Sequence, residues 1–129
     1  MSHHENRAKV EKMIAAMYAG DIEGVTEQMA EDAVVEWPQS GERIVGREAC
    51  YLVYKNYPGG SPIYTLGRIS GSGDLFVVEA VGDYAGKKFF VTNIVEFHDG
   101  KIVKQTDYFA DPFEAPPWRS QWVERMEPV

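Results

Sequence analysis

The sequence predicts an α+β fold in which a curved antiparallel sheet carries three helices on its concave face. In the first half of the chain, apolar residues recur every three to four positions, as in amphipathic helices. From Pro62 onward the apolar spacing changes to two, as in strands with one buried face. Helices therefore precede strands, which is typical of α+β domains. With 129 residues, 44% of them apolar, the chain predicts a single domain over residues 1–129.

Two helices joined by a tight turn are predicted first. The apolar face of the first helix consists of Val10, Met13, Ile14, Met17 and Tyr18. Gly20 is suited to end this helix in a left-handed conformation, and Asp21 to cap the next one. The short apolar stripe of the second helix consists of Ile22, Val25 and Met29.

A β-rich run and a third helix follow. The run covers residues 33–37 and stops at Pro38, because proline cannot donate to a strand ladder. The third helix is predicted to begin at Gly46 and to end before the Pro58-Gly59-Gly60 segment. One side of this helix carries Ala49, Leu52, Val53 and Asn56.

Four strands are predicted in the second half of the chain, at residues 62–70, 75–84, 88–98 and 101–109. Asp99-Gly100 is the strongest hairpin motif, because these residues tolerate the positive φ angles of a type I′ turn. In the second of these strands the even-numbered residues have no charge and are assigned to the interior. In the third strand the odd-numbered set is apolar except for Asn93 and is also assigned to the interior.

The last strand has two competing faces. The set Val103, Gln105, Asp107 and Phe109 is assigned to the interior, because this choice leaves Lys104 outside. A two-residue turn at Asp99-Gly100 would pair Phe97 with Ile102 on one face, which conflicts with that assignment. Both expectations hold only if one of the two strands carries a β-bulge.

Composition and charge exclude several classes of function. Thirteen basic and 20 acidic residues give a net charge of −7, which disfavours nucleic-acid partners. Apolar runs of at most seven residues predict no membrane span. Cys50 is the single cysteine, and no His/Cys cluster is present, so neither an internal disulfide nor a metal site is expected. The sequence shows no export signal, and a cytoplasmic location is expected.

Several short motifs follow one another in a recognisable order. They are Ala19-Gly20-Asp21-Ile22-Glu23, Ala30-Glu31-Asp32-Ala33-Val34, Trp37-Pro38, Gly46-Arg47-Glu48, Asp99-Gly100-Lys101-Ile102 and Asp107-Tyr108-Phe109-Ala110-Asp111-Pro112. Together they resemble the SnoaL-like branch of the nuclear-transport-factor-2-like superfamily, over nearly the whole chain. The resemblance implies a cone-shaped α+β barrel with a deep apolar pocket between sheet and helices. It also implies a homodimer packed through the sheet.

The superfamily includes ketosteroid isomerases, which use an Asp as general base, a Tyr donor in the first helix and a protonated Asp donor on a late strand. In this sequence the corresponding places hold Trp37, Met13 and Asn93. Trp and Met cannot move protons, so the resemblance argues against ketosteroid isomerase activity.

Limonene-epoxide hydrolases of the superfamily use an Asp in the late Asp-Tyr-Phe motif, together with an Arg and a second Asp on the preceding strand. Asp107 matches the first of these groups, but the other two places fall on Ala80 and Gly82. Without the Arg and the second Asp the water-activating network is incomplete. Epoxide hydrolysis is therefore disfavoured.

SnoaL-like polyketide cyclases rely on fewer catalytic residues than the isomerases and epoxide hydrolases. The resemblance of this sequence to these cyclases assigns an acid/base role to Asp107. Burial of this carboxyl group should raise its pKa toward neutrality, which suits proton transfer. Asn93 would orient a carbonyl group or hold Asp107 in place. The expected pocket is lined by Trp37, Tyr54, Val78, Val91, Asn93, Asp107 and Phe109. Alternatively, Asp107 is only hydrogen-bonded to Gln105 or to a neighbouring strand, or it faces outward.

Three hypotheses about function remain open at this point. The first is an enzyme that needs no metal or organic cofactor and transfers protons on a small hydrophobic carbonyl or polycyclic compound. The second is a non-catalytic ligand-binding or accessory protein. The third is a dimeric interaction module that uses the sheet face. An apolar stripe of Trp118 and Trp122 either seals the pocket mouth or packs on a partner subunit.

Overall fold

Three α-helices and six strands make up the fold in a computed structural model that describes residues 3–128. The helices are α1 (His3–Ala19), α2 (Ile22–Thr26) and α3 (Arg47–Lys55). The strands are β1 (Met29–Trp37), β2 (Glu42–Val45), β3 (Ile63–Ser72), β4 (Leu75–Tyr84), β5 (Lys87–His98) and β6 (Lys101–Ala110). A 3₁₀-helix, Pro117–Trp122, follows β6. Within this part of the chain, no helix is long and apolar enough to cross a membrane.

The six strands form one curled sheet in the order β2-β1-β6-β5-β4-β3. The predicted antiparallel sheet is correct except at β1 and β6, which run parallel. This pair becomes possible because α3 and four strands separate β1 from β6 in the chain, and parallel neighbours need such a long crossover. The edge strands β2 and β3 are not paired with each other, so the closed barrel implied by the resemblance is wrong.

The tight turn between α1 and α2 is confirmed. Gly20 has a φ of +71°, and the Asp21 side chain accepts a hydrogen bond from the backbone N–H of Gly24 at 3.0 Å. The predicted extent of the second helix is wrong, because α2 ends at Thr26 and Met29 opens β1. Met29 is fully buried in the core from its strand position, so its apolar character serves the sheet and not the helix.

Residues 33–37, predicted as a β-rich run, form the second half of β1, and the short strand β2 beside them was not predicted. The start of α3 at Gly46 is confirmed. Its predicted apolar face is wrong, because Leu52 and Val53 are exposed. The buried residue of this helix is Cys50, and Tyr54, one helical turn later, is partly buried against the core.

The turn between β5 and β6 settles which residues of β6 face the interior. Asp99 and Gly100 have φ angles of +49° and +76°, as a type I′ turn requires. Phe97 pairs with Ile102, whereas Glu96 pairs with Lys104, so Val103 is an extra residue on β6. The predicted bulge is therefore confirmed. It allows both Ile102 and the later set that includes Asp107 to be buried.

The core lies between the helices and the inner face of the sheet. Val10 and Met13 of α1 are buried in one cluster with Phe76 of β4 and Phe97 of β5, whose rings pack edge to face at 5.9 Å. Asn6, which the sequence did not single out, is 1% exposed and ties α1 to the β3–β4 turn. Its Nδ2 donates to the carbonyl oxygen of Gly73 at 2.8 Å.

Candidate functional site

A cavity of about 220 Å³ opens between the helices and the inner face of the sheet. All seven site residues predicted from the sequence line it: Trp37, Tyr54, Val78, Val91, Asn93, Asp107 and Phe109. The lining also includes residues that were not predicted, among them Met17, Tyr18, Tyr57, Tyr64, Leu66, Ala80 and Gln105. Most of the wall is apolar, and the buried polar groups are concentrated on β5 and β6.

Strand register explains why the predicted residues converge. Val78, Asn93 and Asp107 lie side by side on β4, β5 and β6, on the inner face of the sheet. β1 runs parallel to β6 with Glu36 opposite Thr106, so the next residue, Trp37, lies beside Asp107. The parallel pair that was not predicted is therefore what brings the Trp37 indole to the carboxyl group.

Asp107 is 4% exposed and faces the interior, so the outward-facing alternative is wrong. Its Oδ1 accepts hydrogen bonds from Asn93 Nδ2 at 2.6 Å and from Gln105 Nε2 at 2.9 Å. Its Oδ2 accepts one from Trp37 Nε1 at 2.9 Å. The expected contacts with Gln105 and with a neighbouring strand both exist, and the indole adds a third that the sequence did not reveal.

The two carboxyl oxygens of Asp107 accept different numbers of hydrogen bonds. An ionised carboxylate offers about four acceptor positions, two on each oxygen. Two donors fill Oδ1, whereas Oδ2 has one donor and keeps one position free. Because Asp107 lines the cavity, Oδ2 is the oxygen at which this carboxyl group can accept a further proton or hydrogen bond.

Burial raises the pKa of Asp107 above its ordinary value of 3.8. The hydrogen bonds from Gln105, Asn93 and Trp37 lower this pKa, but desolvation is the larger effect. No Lys or Arg of residues 3–128 forms an ion pair with this carboxyl group. Its negative charge is therefore compensated only by neutral N–H donors.

Two tyrosines beside Asp107 remain protonated near neutral pH. Burial, followed by the negative charge of Asp107, raises the pKa of Tyr54 well above 10. Burial also raises the pKa of Tyr64 to about 12, with smaller contributions from Tyr57 and Asp107. Both phenols line the cavity, so their hydroxyl groups are available there as hydrogen-bond donors.

The remaining chemistry-bearing groups lie elsewhere or are inert. Cys50 is fully buried, and burial raises the pKa of its thiol to about 11, so it is not a reactive thiolate. Within residues 3–128, no cluster of three or more His, Cys, Asp or Glu side chains could hold a metal ion. Trp118 and Trp122 are 71% and 73% exposed, and neither lines the cavity. They do not seal its mouth within this chain.

Comparisons with known proteins agree with this architecture. A model of the SnoaL-like domain matches residues 10–105. An NTF-2 like protein of unknown function from Burkholderia xenovorans LB400 is 38% identical, with a TM-score of 0.90, over 98% of this chain and 99% of that chain. A putative ketosteroid isomerase from Kribbella flavida DSM 17836 is 27% identical, with a TM-score of 0.89, over 98% of this chain and 93% of that chain.

An LEH-like epoxide hydrolase from M. tuberculosis shares the fold at 24% identity. Its TM-score is 0.71, and the match covers 83% of this chain and 84% of that chain. No curated protein sequence matches the chain.

Proposed function

Because the chain belongs to the SnoaL-like domain family, as its motifs predicted, we propose that its cavity binds a small hydrophobic carbonyl compound and that Asp107 transfers a proton on it. The observation that carries this proposal is a carboxyl group 4% exposed, with a raised pKa, one free acceptor position and no cationic partner among the described residues. A group with these properties is suited to general acid–base catalysis.

In the proposed reaction the substrate carries an acidic C–H bond next to its carbonyl group. Oδ2 of Asp107 takes that proton, and the electron pair of the C–H bond moves to the carbonyl oxygen to form an enolate. The protonated carboxyl group then returns the proton to carbon, at the same or another position. The neutral hydroxyl groups of Tyr54 and Tyr64 are the donors that can stabilise the enolate oxygen.

Cavity size favours a small substrate over a polycyclic one. A volume of about 220 Å³ is moderately larger than an engineered cavity of about 150 Å³ that binds benzene. It is below the range of about 300–1,000 Å³ typical of pockets for drug-sized ligands. We therefore propose a compound of one or two rings, held by apolar contacts with residues such as Val78, Val91 and Phe109.

Similarity to the putative ketosteroid isomerase supports proton transfer as the class of chemistry, but not that substrate. In this chain Met13, which takes the place of the family's Tyr donor, is buried in the hydrophobic core. Trp37, which takes the place of the general base, donates a hydrogen bond to Asp107. Proton transfer would thus rest on the carboxyl group of β6.

Hydrogen–deuterium exchange at the α-carbon of 2-tetralone, a bicyclic ketone, tests the proposal. The protein should accelerate exchange in D₂O, as followed by NMR, and Asp107→Asn should slow it by roughly 10²–10⁴-fold while ligand affinity changes only a few-fold. Asp111→Asn, on an exposed carboxyl group outside the cavity, is the matched control. Equal exchange rates for the protein and Asp107→Asn would refute the catalytic role.

A non-catalytic binding protein is the second candidate, and the hydrogen bonds of Asp107 favour it. They connect β6 to β1 through Trp37 and to β5 through Asn93, so the carboxyl group can serve only to hold the cavity wall together. In that case 2-tetralone binds without accelerated exchange. Asp107→Asn then changes affinity alone.

We also propose that the protein forms a homodimer through the outer face of the sheet. Phe90 and Tyr108 lie on this face and are 42% and 43% exposed. Beyond the sheet, the segment after β6 presents four large apolar side chains that are each more than 70% exposed: Phe113, Trp118, Trp122 and Met126. Exposed apolar surface of this extent is typical of an interaction site.

A further inference from the structure

We propose that Gln105 selects ligands that carry a hydrogen-bond donor, with its Oε1 accepting a hydrogen bond from a phenolic or enolic hydroxyl group. This inference rests on the proposed function only in that the ligand occupies the cavity; it does not require that the protein be an enzyme. It narrows the ligand class from small hydrophobic compounds in general to those that present a hydroxyl group.

Gln105 is a buried amide with one end engaged and the other end free. The side chain lies on β6, and the residue is 3% exposed. Nε2 donates to Oδ1 of Asp107 at 2.9 Å, whereas Oε1 has no hydrogen-bond partner among the described residues. Buried amide oxygens are nearly always hydrogen-bonded, so an unpartnered one calls for an explanation.

The carboxyl group of Asp107 fixes the orientation of this amide. Rotating the amide by 180° would place Oε1 against Oδ1 of Asp107, and two acceptors would then meet without a proton between them. Nε2 must therefore face the ionised carboxylate, and Oε1 must face away from it. Because Gln105 lines the cavity, a ligand bound there lies next to this amide, and a small shift of the side chain would bring Oε1 to a ligand hydroxyl group.

Asn6 provides an internal contrast. It is the other residue with a buried side-chain oxygen that lacks a partner in this part of the chain, and it is 1% exposed. Asn6 ties α1 to the β3–β4 turn and does not line the cavity. Only at Gln105 does an unsatisfied acceptor coincide with a space that can hold a ligand.

An acceptor of this kind discriminates strongly between ligands. A compound with a hydroxyl group satisfies Oε1, whereas a compound of the same shape with a methyl group leaves it unpaired and desolvated. Sites that hydrogen-bond a ligand hydroxyl reject the analogue lacking it far more strongly than apolar pockets discriminate by size. The direction of selection is opposite to that of a purely apolar cavity, which would prefer the methyl compound.

The test compares 2-naphthol with 2-methylnaphthalene, which differ by a hydroxyl group in place of a methyl group. Isothermal titration calorimetry should show 2-naphthol binding to the protein roughly ten- to a hundredfold more tightly. Gln105→Met, which keeps the length of the side chain, should reduce this preference at least fivefold. Gln28→Met, the same exchange at a buried glutamine that does not line the cavity, is the matched control and should keep the preference.

Each outcome of this test decides the inference. Equal affinities for the two compounds on the unsubstituted protein, or no binding of either, overturn it without recourse to any variant. A preference that survives Gln105→Met also overturns it and assigns the hydroxyl group to Oδ2 of Asp107. Proton exchange on 2-tetralone is scored separately, because that ketone has no hydroxyl group. A Gln105-dependent preference without exchange leaves this inference intact and refutes the catalytic proposal.

Discussion

Two opposite effects act on the carboxyl group of Asp107. Burial disfavours its negative charge, whereas hydrogen bonds to both oxygens stabilise that charge. Desolvation raises its pKa, and three neutral N–H groups moderate the rise. A buried carboxyl group paired with Arg or Lys would instead be held permanently ionised. The absence of an ion pair at this residue, within residues 3–128, is therefore what leaves it able to gain and lose a proton.

The raised pKa of Asp107 predicts a pH dependence of stability. Between 3.8, the ordinary value expected of the unfolded chain, and its higher native value, the folded state binds more protons than the unfolded state. The contribution of Asp107 to the free energy of unfolding should thus be greatest below pH 3.8. It should decrease as the pH rises through the native pKa and stay constant above it.

Asp107→Asn removes this contribution, so the difference in unfolding free energy between the protein and the variant should change across that pH range. Urea unfolding at a series of pH values measures it. The exposed-site variant Asp111→Asn should run parallel to the unsubstituted protein. A difference between the protein and Asp107→Asn that is independent of pH would contradict the raised pKa.

Among the secondary-structure elements, β4, β5 and β6 were predictable because each has one inner face on which charge is absent or confined to the site. The alternation that buries Val78 and Val91 also places Asn93 and Asp107 in the cavity. Gln105 was predicted to face inward, and its contact with Asp107 was one of the alternatives considered, but its free oxygen was not foreseeable. Whether a side-chain atom lacks a partner depends on neighbouring strands, which no sequence pattern reports.

Other elements were not predictable for identifiable reasons. β2 has four residues, too few for alternation to be recognised. On β3 the register shifts between Leu66 and Arg68, so a strict two-residue period does not mark Tyr64 as a cavity residue. In α3 the exposed Leu52 made the wrong face look apolar, because packing against β1 and α2 decides which side of a short helix is buried.

The bulge at Val103 provides a prediction about β6. Deleting Val103 would remove the extra residue, so Lys104 would follow Ile102 directly, and regular alternation would keep Lys104 outside and Asp107 inside. Deleting Thr106 instead, where no extra residue exists, would put either Lys104 inside or Asp107 outside and should reduce the free energy of unfolding by about 4 kcal/mol or more. The Val103 deletion should cost about 2 kcal/mol or less. Circular dichroism with urea unfolding measures the loss.

Val103→Ala is the control for this deletion, because it keeps the residue count and hence the register. It should cost about 1 kcal/mol, as expected for a partly buried methyl-bearing side chain. If deleting Val103 cost as much as deleting Thr106, Val103 would not be the extra residue that the bulge accommodates.

At the scale of the whole molecule, two groups of exposed apolar residues bear on the proposed dimer. One lies on the outer face of the sheet, around Phe90 and Tyr108, and the other lies on the segment after β6. Neither group is covered by another part of the described chain. The proposed ligand and the proposed second copy would therefore use separate parts of the molecule, the first inside the cavity and the second outside the sheet.

The proposed dimer predicts that charge on the outer face separates the subunits. Phe90→Lys combined with Tyr108→Lys should convert the protein from about 29 kDa, twice 14.5 kDa, to about 14.5 kDa in light scattering after size-exclusion chromatography. Lys87→Glu, on an exposed side chain at the start of β5, should leave the mass unchanged. A monomer before any substitution would refute the proposed dimer.

The unequal filling of the Asp107 oxygens has a stereochemical consequence. With Oδ1 saturated by two donors, Oδ2 is the only basic atom of this carboxyl group that a substrate can meet. A hydrogen removed from one carbon would leave and return by the same atom, and thus on one face of the enolate plane. Deuterium taken up from D₂O would therefore enter from that same face, and the product would form as one enantiomer.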